Sequence, residues 1–250
     1  MNGIKALVAS VSLLASAAVF ATPLPINGTG LQDVINGLYT SAGTSTALAP
    51  NVMANQASEV GQFQIEASGM SAATLVIELA AFANDNTFGI YDLNNLNNRI
   101  ELYSGAASSS AKRVLTVDGS NTFTAFQLSP GFSVLGSVMF TSNAFGYYLA
   151  NAAQNTIFYS QAELNGGDDH LVAFQGDGDK IQLPGGAPGV WGSSSYILAW
   201  DDMQLSLSDR DYNDFVVYVE SVSAVPEPGT LALLGLGLAG LAAASRRKRG

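Results

Sequence analysis

Acidic side chains are concentrated in one short stretch near the end of the chain. Crowding of several carboxylates costs free energy through mutual repulsion unless a cation lies among them. Hard oxygen ligands of this kind prefer Ca²⁺ to softer metals. The stretch therefore predicts a site whose cofactor is Ca²⁺. Its candidate ligands are five carboxylates and one amide between positions 201 and 214, namely Asp201, Asp202, Asp209, Asp211, Asn213 and Asp214.

The spacing of Asp209 and Asp211 is similar to the opening of an EF-hand loop. We reject that interpretation because the sixth position is Asp214, where the sharp turn needs glycine, and an alternating apolar run follows it. We expect a β-loop site in which these three carboxylates converge with Asp202 from the preceding strand end. The alternative is that the same side chains cap turns and accept hydrogen bonds from backbone amides.

Short strand-like runs, separated by Gly, Asn, Ser or Asp clusters, predict the elements that position these residues. About a dozen such runs indicate an all-β fold, a β-sandwich of jelly-roll kind. The runs cover residues 63–67, 74–80, 88–91, 100–103, 114–117, 122–126, 134–140, 145–149, 156–159, 171–174, 196–200 and 215–219.

Two segments need separate interpretation. Residues 72–83 could line one face of a helix, but we predict a strand because Thr74, Val76 and Ile77 are β-branched. Residues 31–38 repeat apolar side chains at helical spacing and predict one short helix. We expect this helix to pack on the edge of the sandwich.

Composition favours the all-β class and excludes one class of partner. Only 12% of the residues are charged, so the side chains that usually cover helix surfaces are scarce. Residues 22–225 carry 19 acidic and five basic side chains, a net charge of −14. Such a surface repels phosphates and makes nucleic-acid binding improbable. Cysteine is absent, which excludes disulfides and thiolate metal sites.

The first 21 residues are typical of a secretory signal peptide. Lys5 supplies the positive charge, residues 6–20 supply an apolar run, and Ala21 supplies the cleavage position. The alternative, a permanent N-terminal membrane anchor, is weaker because the run is shorter than the roughly 20 residues that span a bilayer. We therefore expect a mature protein that starts at Thr22.

The end of the chain combines three features in a fixed order. The tripeptide Pro226-Glu227-Pro228 leads into an apolar run at 231–244 and then into a basic cluster at 246–249. This order resembles the PEP-CTERM sorting signal. The resemblance implies recognition by an exosortase-type membrane protease, in bacteria that make exopolysaccharide. It also implies a precursor held transiently in the membrane by a C-terminal transmembrane helix; a permanent anchor is the alternative.

A second resemblance covers residues 145–222. Trp200-Asp201-Asp202 followed by the segment 209–214 resembles the ending of a domain of unknown function that is common in bacterial surface proteins. That resemblance implies suspected calcium binding and no known reaction. We divide the chain into a signal peptide (1–21), an N-terminal segment with the short helix (22–60), a β-sandwich domain (61–222) and a sorting signal with a transmembrane helix (223–250).

These features predict an exported, non-enzymatic protein of the cell surface or extracellular matrix, associated with exopolysaccharide and biofilm. A carbohydrate-binding module is the alternative, since aromatic side chains can stack on sugar rings. A third hypothesis is a glycan hydrolase that uses Asp202 and Asp211 as its pair of carboxyl groups. The aromatic candidates for sugar stacking are Tyr147, Tyr148, Trp191 and Tyr196, and the only histidine is His170.

Overall fold

The computed structural model describes residues 23–226, apart from 58–59, 67–68, 79–82, 106 and 130. The predicted signal peptide with Ala21, the residues Glu227 and Pro228, and the predicted transmembrane helix lie outside the described residues. Within the described ranges, no helix has the length and apolar character needed to cross a membrane.

The described residues form one α-helix and fifteen strands. The elements are α1 (Gly30–Ser41), β1 (Phe63–Ile65), β2 (Met70–Glu78), β3 (Asn86–Asp92), β4 (Asn95–Ser104), β5 (Lys112–Val117), β6 (Thr122–Ser129), β7 (Ser133–Met139), β8 (Ala144–Asn151), β9 (Thr156–Tyr159), β10 (Leu171–Gln175), β11 (Lys180–Gln182), β12 (Pro188–Val190), β13 (Ser195–Trp200), β14 (Phe215–Glu220) and β15 (Val222–Ala224).

The strands form two antiparallel sheets and a small hairpin. The first sheet has the order β15-β1-β8-β3-β4, with β9 paired to β8. The second sheet has the order β10-β13-β14-β2-β5-β6-β7, and β11 pairs with β12 in the hairpin. Because the neighbours of several strands are distant in sequence, the sheets depend on long-range pairing.

The main hydrophobic core lies between the two sheets. Successive side chains of a strand point to opposite faces of the sheet, so every second residue of a strand points toward the other sheet. Phe88 of the first sheet stacks on Phe215 of the second at a ring-centroid distance of 5.0 Å. Phe63 meets Tyr196 edge to face at 5.7 Å. Aromatic contacts between the sheets therefore fix their separation and relative position.

A second core covers the outer face of the second sheet. All six residues of β13 and the first five of β14 are buried, so these central strands are covered on both faces. Helix α1 supplies the outer cover through Leu31, Ile35 and Leu38. The helix thus packs on a sheet face, and our expectation of edge packing was wrong. The reason is that β13 and β14 carry apolar side chains on both faces.

The structure confirms the all-β prediction and its single short helix. Each of the twelve predicted runs overlaps a strand, and the ambiguous segment 72–83 contains part of β2. The strands β11, β12 and β15 were missed because three residues are too few to display alternation. The jelly-roll connectivity and the domain boundaries stay predictions.

Candidate functional site

Two neighbouring strand ends bring the acidic residues into one region. Strand β13 ends at Trp200, directly before Asp201 and Asp202, and β14 begins at Phe215, directly after Asp214. Because Trp200 pairs with Phe215 in the antiparallel ladder, these carboxylates lie at the same end of the second sheet. We call the connecting segment, residues 201–214, the acidic loop.

Asp202 and Asp214 form a carboxyl pair at the base of the acidic loop. The backbone N–H of Asp202 donates to Oδ2 of Asp214 at 3.0 Å, and the charges of the two carboxylates repel each other. Asp202 is only 2% exposed. Burial, reinforced by the charges of neighbouring carboxylates, raises the pKa of Asp214 to about 8. Burial also raises the pKa of Asp202. A positive species, either a proton or a cation, is therefore favoured between them.

Asn86 and Asn151 of the first sheet complete this region. They face each other across β3 and β8. The Nδ2 of Asn86 donates to Oδ2 of Asp202 at 2.8 Å, and that of Asn151 donates to the Asp202 carbonyl oxygen at 3.2 Å. Asn86 is 1% exposed, and its Oδ1 atom has no hydrogen-bond partner among the described residues. A buried acceptor without a partner costs about 1–3 kcal/mol, so this oxygen is a candidate ligand.

Sequence reasoning missed Asn86 because it lies 116 positions before Asp202, on the other sheet. Its own neighbourhood, Asn84-Asp85-Asn86, is typical of a turn. No spacing rule links it to the acidic loop, and only the packing of the two sheets brings them together. The one sequence signal that could have indicated Asn86 is its position at the start of a strand.

Asp201 organises the start of the acidic loop. It is fully buried, and its Oδ1 atom accepts a hydrogen bond from the Met203 backbone N–H at 3.2 Å. Its Oδ2 atom accepts a short hydrogen bond from the Ser208 hydroxyl. Burial raises the pKa of Asp201 to about 6. In this geometry Asp201 shapes the loop, as the turn-capping alternative describes.

The remaining predicted ligands lie farther along the loop. Asp211 accepts hydrogen bonds from the backbone N–H of Asn213 at 3.1 Å and from its Nδ2 atom at 2.5 Å. Burial raises the pKa of Asp211. Asp209 is exposed, and its carbonyl oxygen accepts a hydrogen bond from Asn27 at 2.6 Å. The structure therefore pairs Asp202 with Asp214 directly and joins Asp211 to Asn213 in a local turn.

Tyr212 anchors the middle of the acidic loop. Its ring is buried, and its hydroxyl donates to the Asp169 carbonyl oxygen at 2.8 Å. The backbone of Arg210 and Tyr212 adopts positive φ angles of 59° and 52°, which turn the chain at both positions. A buried aromatic ring thus holds the loop against the second sheet although its neighbours are polar.

Carboxylates alone do not form a preassembled metal centre here. Across the described part of the chain, no three His, Asp or Glu side chains are grouped so that they could hold a metal ion. A cation at the carboxyl pair would therefore take its other ligands from amide oxygens, carbonyl oxygens or water. Asn86 could contribute such an oxygen, because its side-chain amide contacts the Asp202 carboxylate.

His170 is held by a backbone carbonyl oxygen. Its Nδ1 atom lies 3.3 Å from the carbonyl oxygen of Asp201, and its ring stacks on Phe158 at a centroid distance of 3.7 Å. Burial lowers the pKa of His170, so the ring is neutral at neutral pH. This contact fixes the position of the imidazole next to the start of the acidic loop.

The four aromatic residues considered for sugar stacking are all buried in the cores. Their exposed fractions are between 1% and 5%. They occupy strand positions, or in one case a position next to a strand, whose side chains point into a packed layer. Tyr147, Tyr148, Trp191 and Tyr196 are therefore core residues, as is expected of most aromatics at strand positions, and the alternative that they stack on sugars was wrong.

Two matches to known families cover parts of the chain. Residues 133–222 match a domain of unknown function, DUF4114, and residues 224–248 match the PEP-CTERM protein-sorting motif. No curated protein and no solved structure matches the chain. The predicted sorting motif is confirmed, as is the resemblance to a domain of unknown function, whereas the calcium motif stays a prediction. The sorting motif is a substrate signal recognised by exosortase, a membrane protease, and it implies export to the surface or beyond.

Proposed function

We propose that this chain is an exported, non-enzymatic surface or matrix protein whose β-domain is stabilised by Ca²⁺. The ion would bind between Asp202 and Asp214, with Oδ1 of Asn86 as a third ligand. The observation that carries the proposal is a carboxyl pair, Asp202 buried and Asp214 half-buried, beside a buried amide oxygen without a partner among the described residues. These are hard oxygen ligands of the kind that Ca²⁺ prefers.

Electrostatics favours a divalent ion at this position. Burial, and then the charge of Asp202, raises the pKa of Asp214, so two charged carboxylates at this position cost free energy. A proton neutralises one charge, whereas Ca²⁺ neutralises both.

Rotation of the Asn86 amide by 180° would place Oδ1 where Nδ2 now lies, 2.8 Å from Oδ2 of Asp202. Two oxygens at that separation can share one ion at the usual Ca²⁺–oxygen distance of about 2.3–2.6 Å.

Such an ion would join the two sheets. Asn86 belongs to the first sheet, whereas Asp202 and Asp214 flank strands of the second. The chain has no cysteine, so a metal bridge is the available substitute for a disulfide in an exported domain. The sorting motif supports a location at the cell surface, and we infer that the protein acts there in the exopolysaccharide or biofilm layer.

Calcium is expected to raise the melting temperature of the protein. An ion at about one hundred times its Kd stabilises the folded state by about 2.7 kcal/mol, or about 5–10 °C in a domain of this size. The Asp214→Asn variant should lose this response, because it lacks one of the two charges. The Glu101→Gln variant removes an exposed charge in β4 and should respond as the unmodified protein does. Thermal unfolding with calcium and with chelator measures both, and an unchanged midpoint in calcium contradicts the proposal.

The chelated protein is expected to lose stability as the pH rises from about 5 to about 8. The pKa of Asp214 in the folded state, about 8, lies above the value of about 3.9 in an unfolded chain. The folded state therefore binds more protons in this range, and its stability falls with rising pH. Calcium or the Asp214→Asn substitution should flatten the dependence. Chemical unfolding at several pH values tests this, and a stability that rises over the range would count against the buried pair.

Processing at both ends is expected in the native host. Mass spectrometry of the secreted protein should find an N-terminus at Thr22 and a C-terminus close to Pro226-Glu227-Pro228. Substitution of Glu227 by Ala should leave the C-terminal segment attached, because the sorting motif would be altered. Full-length chains in the mature fraction would contradict exosortase sorting, whatever the calcium experiments give.

A further inference from the structure

The outer face of the second sheet differs between its two halves. Helix α1 packs over β13 and β14 and forms the second core with them. The other half of the sheet consists of β5, β6 and β7. Phe123 and Ala125 of β6 point into the main core, so the side chains that alternate with them, and those opposite in β7, lie on the outer face.

Five large apolar side chains are exposed in this second half. Each is between 41% and 73% exposed, so no described element covers them. Val134 lies opposite Phe126 on the outer face, and Leu135 is the extra residue of a bulge in β7. We call the five residues the apolar stripe: Leu128, Phe132, Val134, Leu135 and Met139.

Phe132 is held in a fixed orientation although its ring is exposed. The ring stacks on that of Phe126 at a centroid distance of 5.9 Å. A side chain that is already ordered loses less conformational entropy when a partner covers it. Phe and Met are also enriched at the centres of protein interfaces. The stripe therefore has the composition of a protein contact surface.

The hydroxyl groups beside the stripe pair with each other. Oγ1 of Thr124 lies 2.9 Å from Oγ of Ser137, and one hydroxyl donates to the other. Covering hydroxyls that keep a hydrogen bond costs less than covering unpaired ones. A sugar needs directed hydrogen bonds from its site, so this surface suits an apolar protein partner better than a glycan.

The stripe is uncharged although the protein is acidic. No charged residue occurs from position 119 to position 162, a stretch that includes all of β6 and β7, whereas residues 22–225 carry a net charge of −14. Two copies that met through the stripe would therefore bring no carboxylate of these strands into contact. Their remaining repulsion is screened beyond about 8 Å at physiological ionic strength. An anionic membrane would be repelled, since neither strand supplies a basic residue to attract it.

The exposed area is sufficient for a weak dimer. At roughly 200 Å² for a large apolar residue, the exposed fractions amount to about 600 Å² in one copy. Two copies would then bury about 1,200 Å², which is the lower end of the range for specific protein interfaces. A single exposed patch of this size is at the upper end of what monomeric proteins show.

We propose that the apolar stripe is the interface of a homodimer, in which the outer faces of two copies pack together about a two-fold axis. Such a contact is self-complementary, so each stripe covers the other and association stops at the dimer. The inference goes beyond the proposed function. It is independent of the calcium ion, because no residue of the acidic loop belongs to the stripe.

Sedimentation velocity of the protein purified from its native host tests the dimer. Because the interface is small, we expect a monomer–dimer equilibrium with a Kd on the order of micromolar. The dimer should become tighter as NaCl rises from about 0.05 to about 0.5 M, since salt screens the repulsion between two acidic copies. The measurements are made in millimolar calcium and again in chelator, and a dimer in either buffer supports the proposal whatever the melting experiments give.

Two matched variants locate the interface. Val134 and Val190 are both exposed strand residues, at 60% and 69%, but Val190 lies in β12, outside the stripe. Val134→Glu should weaken dimerisation about a hundredfold or more, because each copy would bury an unpaired carboxylate. Val190→Glu adds the same charge and should leave the Kd within about twofold. Phe132→Ser adds no charge and should weaken the dimer at least about tenfold.

The melting temperature and circular dichroism of each variant show that it is folded, as we expect for substitutions at exposed positions. The proposal is overturned if the protein is monomeric up to about 100 µM in both buffers. It is also overturned if both stripe variants dimerise as tightly as the unmodified protein, which is the result that association through an uncleaved C-terminal segment would give.

Three further results would contradict the dimer. Association that continues beyond two copies would exclude a closed two-fold interface. A dimer that weakens as salt rises would indicate a charged interface elsewhere on the surface. A monomer that floats with phosphatidylcholine vesicles, and no longer does so as Phe132→Ser, would make the stripe a lipid-binding surface instead.

Discussion

Two carboxylates held side by side, one buried and one half-buried, where the two sheets meet, are the constraint on which this account depends. Asp202 and Asp214 could not both carry a full charge at that position without a large free-energy cost. The fold nevertheless brings them together, because each is adjacent to a central strand whose partner is fixed by a long antiparallel ladder. A compensating positive species is therefore required by the architecture.

The surroundings of the pair explain why the carboxylates cannot separate. Asn86 and Asn151 hold Asp202 from the first sheet, and the buried ring of Tyr212 holds the loop from the other side. Helix α1 approaches the same loop closely, since a side chain at Gly30 would collide with Asn213. The acidic residues are thus held by the packed scaffold, and relief by outward movement would require local unfolding.

Much of the fold could be predicted because period-two alternation and turn residues mark most strands directly. The acidic loop could be predicted for a similar reason, since Asp201, Asp202 and Asp214 are adjacent to recognisable strands. The contribution of Asn86 could not, because it arises from the packing of one sheet on the other. Packing also buries the aromatic residues: Tyr147 lies in the core between the sheets and Trp191 in the second core.

The most direct measurement is a high-resolution crystal structure of the protein grown in millimolar calcium. The account predicts an ion bonded to carboxylate oxygens of Asp202 and Asp214 and to the amide oxygen of Asn86, at about 2.3–2.6 Å from each. An ordered acidic loop in which the Asp202 backbone N–H still donates to Asp214, with no ion between the two carboxyl groups, would contradict it.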